Sequence, residues 1–213
     1  MTPPAGGSSA PMRLWFSPAS PFARKVRIVA REAGLTGRIE EINTVVSPVK
    51  PNAELARENP LVKIPALATP DLGTLYDSAV ICEYLDSLHR GTSLFPGAGP
   101  ERWRALRLQA LGDGMLEASV LMRYEKAVRP ESLQWSEWTA GQLAKVRGGL
   151  DALEQECPGW GERFTIGRIT AVCVLGYLDF RFPQEAWRGS RPALARWYER
   201  FAQRPSVKAT VPA

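Results

Sequence analysis

The sequence predicts an α/β domain followed by an all-helical domain, and three observations carry that expectation. Short apolar runs alternate with helical periodicity up to residue 88. A Gly/Pro-rich segment, HRGTSLFPGAGP at residues 89–100, then interrupts the pattern. Beyond it every apolar repeat has helical spacing. The expected organisation is a disordered tail at 1–11, an α/β domain at 12–88, a linker at 89–100 and a helical domain at 101–213. Met12, which opens the first strand, is a candidate start alongside Met1.

Met12-Arg13-Leu14-Trp15-Phe16 is short and rich in large apolar side chains, the pattern of a buried strand. Phe22, Val26, Val29, Ala30 and Ala33 then fall at i, i+4, i+7, i+8 and i+11, one face of a helix. Ser20 before Pro21 is an N-cap followed by proline at the first helical position, and Gly34 is the stop. Residues 38–46 read as a second strand, and Glu54 to Glu58 allow one or two helical turns after a proline-rich loop. Ala66-Leu67-Ala68 and Thr74-Leu75-Tyr76 flank Pro70-Asp71-Leu72-Gly73, a turn that joins antiparallel strands. Val80, Ile81, Tyr84, Leu85 and Leu88 repeat as a helix with Ser78 near its start. This order matches a thioredoxin-like domain, and a helical bundle follows it. Trp103, Leu106 and Ala110 open a long helix with a kink expected at Gly112-Asp113-Gly114. Trp135 to Leu153 form the next, residues 170–180 are apolar all round and form the central one, and Pro192 to Gln203 form the last.

Composition excludes several classes of function. No apolar run approaches the roughly 20 residues that span a bilayer, and residues 1–11 lack a signal peptide's basic and apolar regions. A cytoplasmic location is expected. Cys82, Cys157 and Cys173 have neither CxxC nor metal-ligand spacing, and their odd number argues against a disulfide framework. They read as core residues, and no metal is expected. The single histidine, His89, lies in the linker and disfavours a Ser-His-Asp hydrolase. The net charge of +5 comes without a Lys/Arg run, so nucleic acid and membrane are not expected partners.

The turn before the first helix is the candidate site. A helix N-terminus presents unpaired N–H groups and partial positive charge, which favour an anion. Arg24, Lys25 and Arg27 add basic charge in the first two turns, where acidic residues are usual, and suggest a negatively charged visitor.

Three motifs in order resemble the glutathione transferase superfamily, and the resemblance covers nearly the whole chain from Met12. They are the SPF turn at Ser20-Pro21-Phe22, Asn59-Pro60 with Lys63-Ile64-Pro65-Ala66-Leu67, and Tyr76-Asp77-Ser78 opening the helix ICEYLD. The resemblance implies that Pro65 is cis and that Ile64 presents its backbone to the cysteinyl part of glutathione. It implies that Asp77 lies near the γ-glutamyl amine, that Ser78 receives the γ-glutamyl carboxylate and that Lys63 meets the glycyl carboxylate. Ser20 stands where other members carry a cysteine. A serine cannot form a mixed disulfide, but it can donate a hydrogen bond that favours the bound thiolate. Ser20 is favoured over Ser17 because it directly precedes the helix.

Met115, Ser119, Met122 and Arg123 are expected to wall the electrophile pocket, although Met115 and Met122 read equally well as ordinary core. At the central helix the chain departs from the family's N-capping T-x-x-D. Arg168 replaces the usual aspartate, Thr170 has Cys173 three residues on, and Arg168 needs an acidic neighbour. The leading expectation is a cytoplasmic, homodimeric serine-type glutathione transferase acting on a small electrophile, with glutathione as co-substrate. The alternatives are a transferase-fold adaptor that binds a protein without glutathione, as the stringent starvation proteins do, and a glutathione-dependent isomerase.

Overall fold

The computed structural model describes residues 10–213; residues 1–9 of the expected tail lie outside them. Strand β1 (Met12–Phe16), helix α1 (Pro21–Glu32) and the parallel strand β2 (Ile39–Asn43) form a βαβ unit. Helix α2 (Leu55–Glu58) follows, then the antiparallel hairpin β3 (Ala66–Thr69) and β4 (Gly73–Leu75) and helix α3 (Ser78–Ser87). The strand order β2-β1-β3-β4 makes β1 central. Met12, Leu14 and Phe16 join the main core with Val26, Val29, Ile81 and Leu85, while Trp15 packs on the other face with Leu55 and Ala66. Two covered faces explain why this strand is apolar nearly throughout.

The register decides where the loops meet. Trp15 lies opposite Ala66, and Leu67 opposite Leu75. The end of β1, the start of β3 and the end of β4 therefore share one edge of the sheet, where Ser20, Pro65 and Asp77 follow or precede them. That edge is where loops of different sequence distance converge.

The segment after α3 is pinned by one carboxylate. Asp86 accepts from the backbone N–H of Leu94 at 2.8 Å and Phe95 at 3.1 Å, from Ser93 Oγ at 2.6 Å and from His89 at 3.0 Å. Burial raises its carboxyl, but these hydrogen bonds outweigh burial and hold it below the ordinary value.

Helices α4 (Pro100–Ala127), α5 (Ser136–Glu156), α6 (Ile166–Arg181), α7 (Pro192–Phe201) and the short α8 (Pro205–Lys208) form the second domain. The apolar stretch is central as expected, because α6 is buried from Ile169 to Leu178. The helical hydrogen bonding of α4 continues unbroken through Gly112-Asp113-Gly114. The glycine at 112 instead serves close packing: a Cβ there would meet Thr170 Cγ2 at 2.6 Å. Likewise a Cβ on Gly167 would meet the Ala105 carbonyl oxygen at 2.6 Å. These contacts also set α4 and α6 running the same way.

The start of α6 corrects the reading of its cap. The N-cap is Thr165, which makes no capping hydrogen bond, and Thr170 lies within the helix, donating to the Ile166 carbonyl at 2.9 Å. Arg168 donates to the Gly161 carbonyl at 2.8 Å and also to that of Arg163, and the acidic neighbours it was expected to need, Glu101 and Glu162, act on it electrostatically.

Helix α1 runs antiparallel to α6. Its Arg24 lies against Gly176 near the end of α6, whereas Glu32 at its other end binds Arg204, which stacks 4.5 Å over Phe164 before α6 begins.

Candidate functional site

The Ser17-Pro18-Ala19-Ser20 turn is fixed by its own backbone. The Ser20 N–H donates to the Ser17 carbonyl at 2.9 Å, and Ser17 Oγ accepts from the Ala19 N–H at 3.4 Å. Ser20 is half-buried and caps α1, its Oγ accepting the Ala23 N–H at 3.2 Å. That bond uses an oxygen lone pair, so the hydroxyl proton remains available for donation to an acceptor. Proline at the next position removes one donor that would compete at this helix end.

Across the sheet edge, the Ile64–Pro65 bond is cis, as the resemblance implied. Asn59 builds the preceding loop: its side chain donates to the Lys63 carbonyl at 2.9 Å and accepts from the Leu61 N–H at 3.0 Å. Lys63 is exposed, Ile64 half-buried and Pro65 buried. At the start of α3, Asp77 is exposed and is the residue that caps the helix, its carboxylate accepting the Ala79 N–H at 3.0 Å. Ser78 is the first helical residue and is buried. Ser20, Ile64 with Pro65, and Asp77 with Ser78 thus converge from three separate segments on one sheet edge.

The basic residues of α1 correct the sequence reading. Arg24 and Lys25 are buried and Arg27 binds Glu41, so none of the three is free for a visiting anion. Lys25 crosses to the second domain, where its Nζ meets both Asp113 oxygens at 2.6 and 2.8 Å. Burial pushes the Asp113 carboxyl up, even against Lys25 beside it. Cys82 and Cys173 lie within the field of this pair, and burial raises both thiols, that of Cys173 to about 11. All three cysteines are free and buried, as their spacing suggested.

Three of the four residues expected to wall an electrophile pocket are buried on α4. Met115 and Ser119 are fully buried: Met115 fills the space that a side chain on Gly149 of α5 would need, and Ser119 Oγ donates back to the Met115 carbonyl at 2.8 Å. Met122 is buried with them. These three side chains face the helical core, and of the four only Arg123 is half-exposed. Asp113, Val120 and Tyr124 are half-buried and Glu117 is exposed, at i, i+7, i+11 and i+4 of one side of α4, while Gly114 and Leu121 beside them are also exposed. The 2.6 Å Lys25–Asp113 pair turns this side of α4 toward α1. The sequence signal was the acidic residue between two glycines, which the expected kink obscured.

A thioredoxin-like domain with this three-segment edge, followed by a helical domain, defines the class. Models of the glutathione S-transferase N-terminal and C-terminal domains match residues 19–88 and 136–200. The uncharacterized GST-like protein YibF of Escherichia coli is 31% identical over 204 residues, 94% of this chain and 98% of that protein. A glutathione transferase family member from Pseudomonas fluorescens Pf-5, solved with bound glutathione, superposes with a TM-score of 0.93 at 46% identity, covering 95% of this chain and 99% of that one. Another structure from that organism, with bound S-(propanoic acid)-glutathione, gives 0.88 at 44% identity, covering 95% and 100%. The chain belongs to the glutathione transferase superfamily. Among the described residues no helix is long and apolar enough to cross a membrane.

Proposed function

We propose that the protein is a glutathione transferase in which the Ser20 hydroxyl stabilises the glutathione thiolate for attack on a small electrophile. The observation that carries this reading is the convergence on one sheet edge of Ser20, the Ile64 backbone and the first turn of α3. Glutathione is an extended peptide with a central thiol and a carboxylate at each end. Ile64 precedes β3 and forms no pair in the sheet ladder, so its N–H and C=O suit the cysteinyl backbone. Ser78 and the N-terminus of α3 suit the γ-glutamyl carboxylate, the second oxygen of Asp77 suits the amine, and exposed Lys63 suits the glycyl carboxylate.

The Ser20 proton then points at sulfur. A hydrogen bond to the charged form lowers a thiol pKa that starts near 8.5, and a drop of about two units corresponds to roughly 2.7 kcal/mol. Attack forms a carbon–sulfur bond, and a leaving group departs with its electron pair or an activated double bond accepts the pair. The thioether bound to the Pseudomonas fluorescens relative is the kind of product such attack leaves, which favours conjugation over isomerisation.

Calorimetry with glutathione, combined with a pH titration of the thiolate's ultraviolet absorbance, tests the reading. Ser20→Ala is expected to raise the bound thiol pKa by about two units. Ser78→Ala is expected to weaken binding about tenfold without uncapping α3, because Asp77 is the cap. Absence of glutathione binding at millimolar concentration would replace this reading with the protein-binding adaptor.

A homodimer is part of the proposal, in the cytoplasm, where free thiols persist. Exposed Val80 on α3 and Trp103 on α4 lie beside the Glu83–Arg102 ion pair that joins the two helices, leaving apolar surface there for a second copy. Sedimentation is expected to give a dimer for the wild type and a monomer for Trp103→Glu; a wild-type monomer sinks this part.

A further inference from the structure

Two residues other than glycine hold a positive φ among the described residues, Val62 at 52° and Ala186 at 39°. Ala186 ends the 3₁₀ turn Pro183–Glu185, and a left-handed residue is ordinary where a helical turn ends. Val62 instead stands in the loop that leads into β3, two residues before Ile64. A β-branched side chain crowds the backbone in the left-handed region, so a valine there is a conformation that its surroundings enforce.

The enforcement comes from both the backbone and the side chain. Buried Asn59 spans the residue: its side chain accepts from the Leu61 N–H at 3.0 Å and donates to the Lys63 carbonyl at 2.9 Å, clamping the chain on either side of Val62. The Val62 N–H donates to the Asn59 carbonyl at 2.9 Å, and the Asn59 N–H is tied to the Leu55 carbonyl of α2 at 2.8 Å. The Val62 side chain packs, half-buried, against the cluster of Trp15, Leu55 and Ala66. Its neighbours Pro60, Leu61 and Lys63 are exposed. The outer face of the loop is therefore open, and its shape is set from beneath by one valine and one asparagine.

We infer that Val62 is a positioning residue for the glutathione peptide: its inward side chain holds the loop in one shape, so that Lys63 and Ile64 are set before the ligand arrives. The inference rests on the proposed transferase reading and deepens it. A glycine at this position would reach the left-handed conformation without crowding, and it would serve better if the backbone shape alone mattered. A glycine also leaves many other conformations open, and it carries no side chain to pack on Trp15 and Leu55. Glutathione is a flexible peptide that must be ordered on binding, and a loop ordered beforehand removes a second entropic cost. The valine tolerates a crowded backbone because its packing leaves the loop a single shape.

Calorimetry of the full chain with glutathione, on the wild type, Val62→Gly and Val62→Ile, tests the inference. Val62→Gly removes the anchor and keeps the backbone conformation accessible, and it is expected to bind glutathione about five- to tenfold more weakly. Its urea midpoint is expected to stay within about 0.5 M of wild type, because relieved crowding offsets the lost packing. The amide hydrogens of residues 61 and 62, both held by Asn59, are expected to exchange at least about tenfold faster in the free variant. Val62→Ile keeps a β-branched apolar anchor and is expected to bind within about twofold of wild type. If Val62→Gly does not fold, Val62→Asn carries the same expectations, since asparagine enters the left-handed region more readily than valine. Glutathione binding by Val62→Gly within about twofold of wild type overturns the inference and leaves the transferase reading intact. Weaker binding with unchanged exchange at residues 61 and 62 overturns it too, because the loop was then not loosened. Failure of the wild type to bind glutathione at millimolar concentration overturns both readings.

Discussion

The proposed glutathione half of the candidate site is assembled from strand ends, whereas the proposed electrophile half would draw on the sides of helices. In the first half, Ser20, Ile64 with Pro65, and Asp77 with Ser78 each sit at an element boundary. There local sequence sets the geometry: a serine cap before proline, an asparagine-built loop, an aspartate cap. In the second half, the residues that face the site are selected by how α1, α4 and α6 rotate against one another. That rotation is set by Gly112 on Thr170, Gly167 on Ala105 and Lys25 on Asp113. The difference teaches that boundary residues advertise themselves in the sequence and helix-face residues do not.

The strongest way to break this comparison is at the interdomain ion pair. Asp113→Ala leaves the fully buried Lys25 ammonium without its carboxylate and is expected to cost about 3 kcal/mol, read by denaturant unfolding. The double change Lys25→Met with Asp113→Leu is expected to cost less than Asp113→Ala alone, because it removes both charges. A loss below about 1 kcal/mol for Asp113→Ala would place this pair with surface ion pairs and remove its role in orienting α4.

A smaller effect is expected where the two domains join. The Asp86 carboxyl lies below its unfolded value, so its contribution is present above about pH 4 and is lost as pH falls through the lower folded value. Asp86→Asn is expected to cost about 1–2 kcal/mol at neutral pH and to remove this part of the acid dependence, measured as denaturation midpoints from pH 7 downward. An unchanged acid profile in the variant would show that the linker is held by other contacts.

The smallest effect sharpens the comparison from the helix side. Ser119→Ala and Met122→Leu alter side chains that face the core, so kcat/KM is expected to stay within about twofold of wild type. A tenfold fall would mean that the pocket reaches around α4 and that the sequence-based wall was right.

The strands, the helices through α7 and the Ser20 cap were legible because each depends on residues within a few positions, whereas the cis bond before Pro65 was implied only by the family resemblance. The central place of α6 was legible too, since a helix apolar all round has no side to offer to water. The misreadings have a common cause. Arg24 and Lys25 looked like surface charge because what buries them is far away in the chain: Arg24 donates to the Val207 carbonyl and Lys25 pairs with Asp113. Gly112 looked like a kink because the side chain it accommodates belongs to another helix. Thr165 was passed over as the cap of α6 because no acceptor pattern marks it.

The sequence by itself determined which segments become strands and helices, where they stop and which family they resemble, because propensity, capping and periodicity act over one or two turns. Only the tertiary structure decided that Lys25 joins the domains and that Met115 and Ser119 turn inward. Helix rotation and register decide such matters, and they are settled by close packing between surfaces distant in the chain, where a single glycine or buried charge selects the face that turns toward the site.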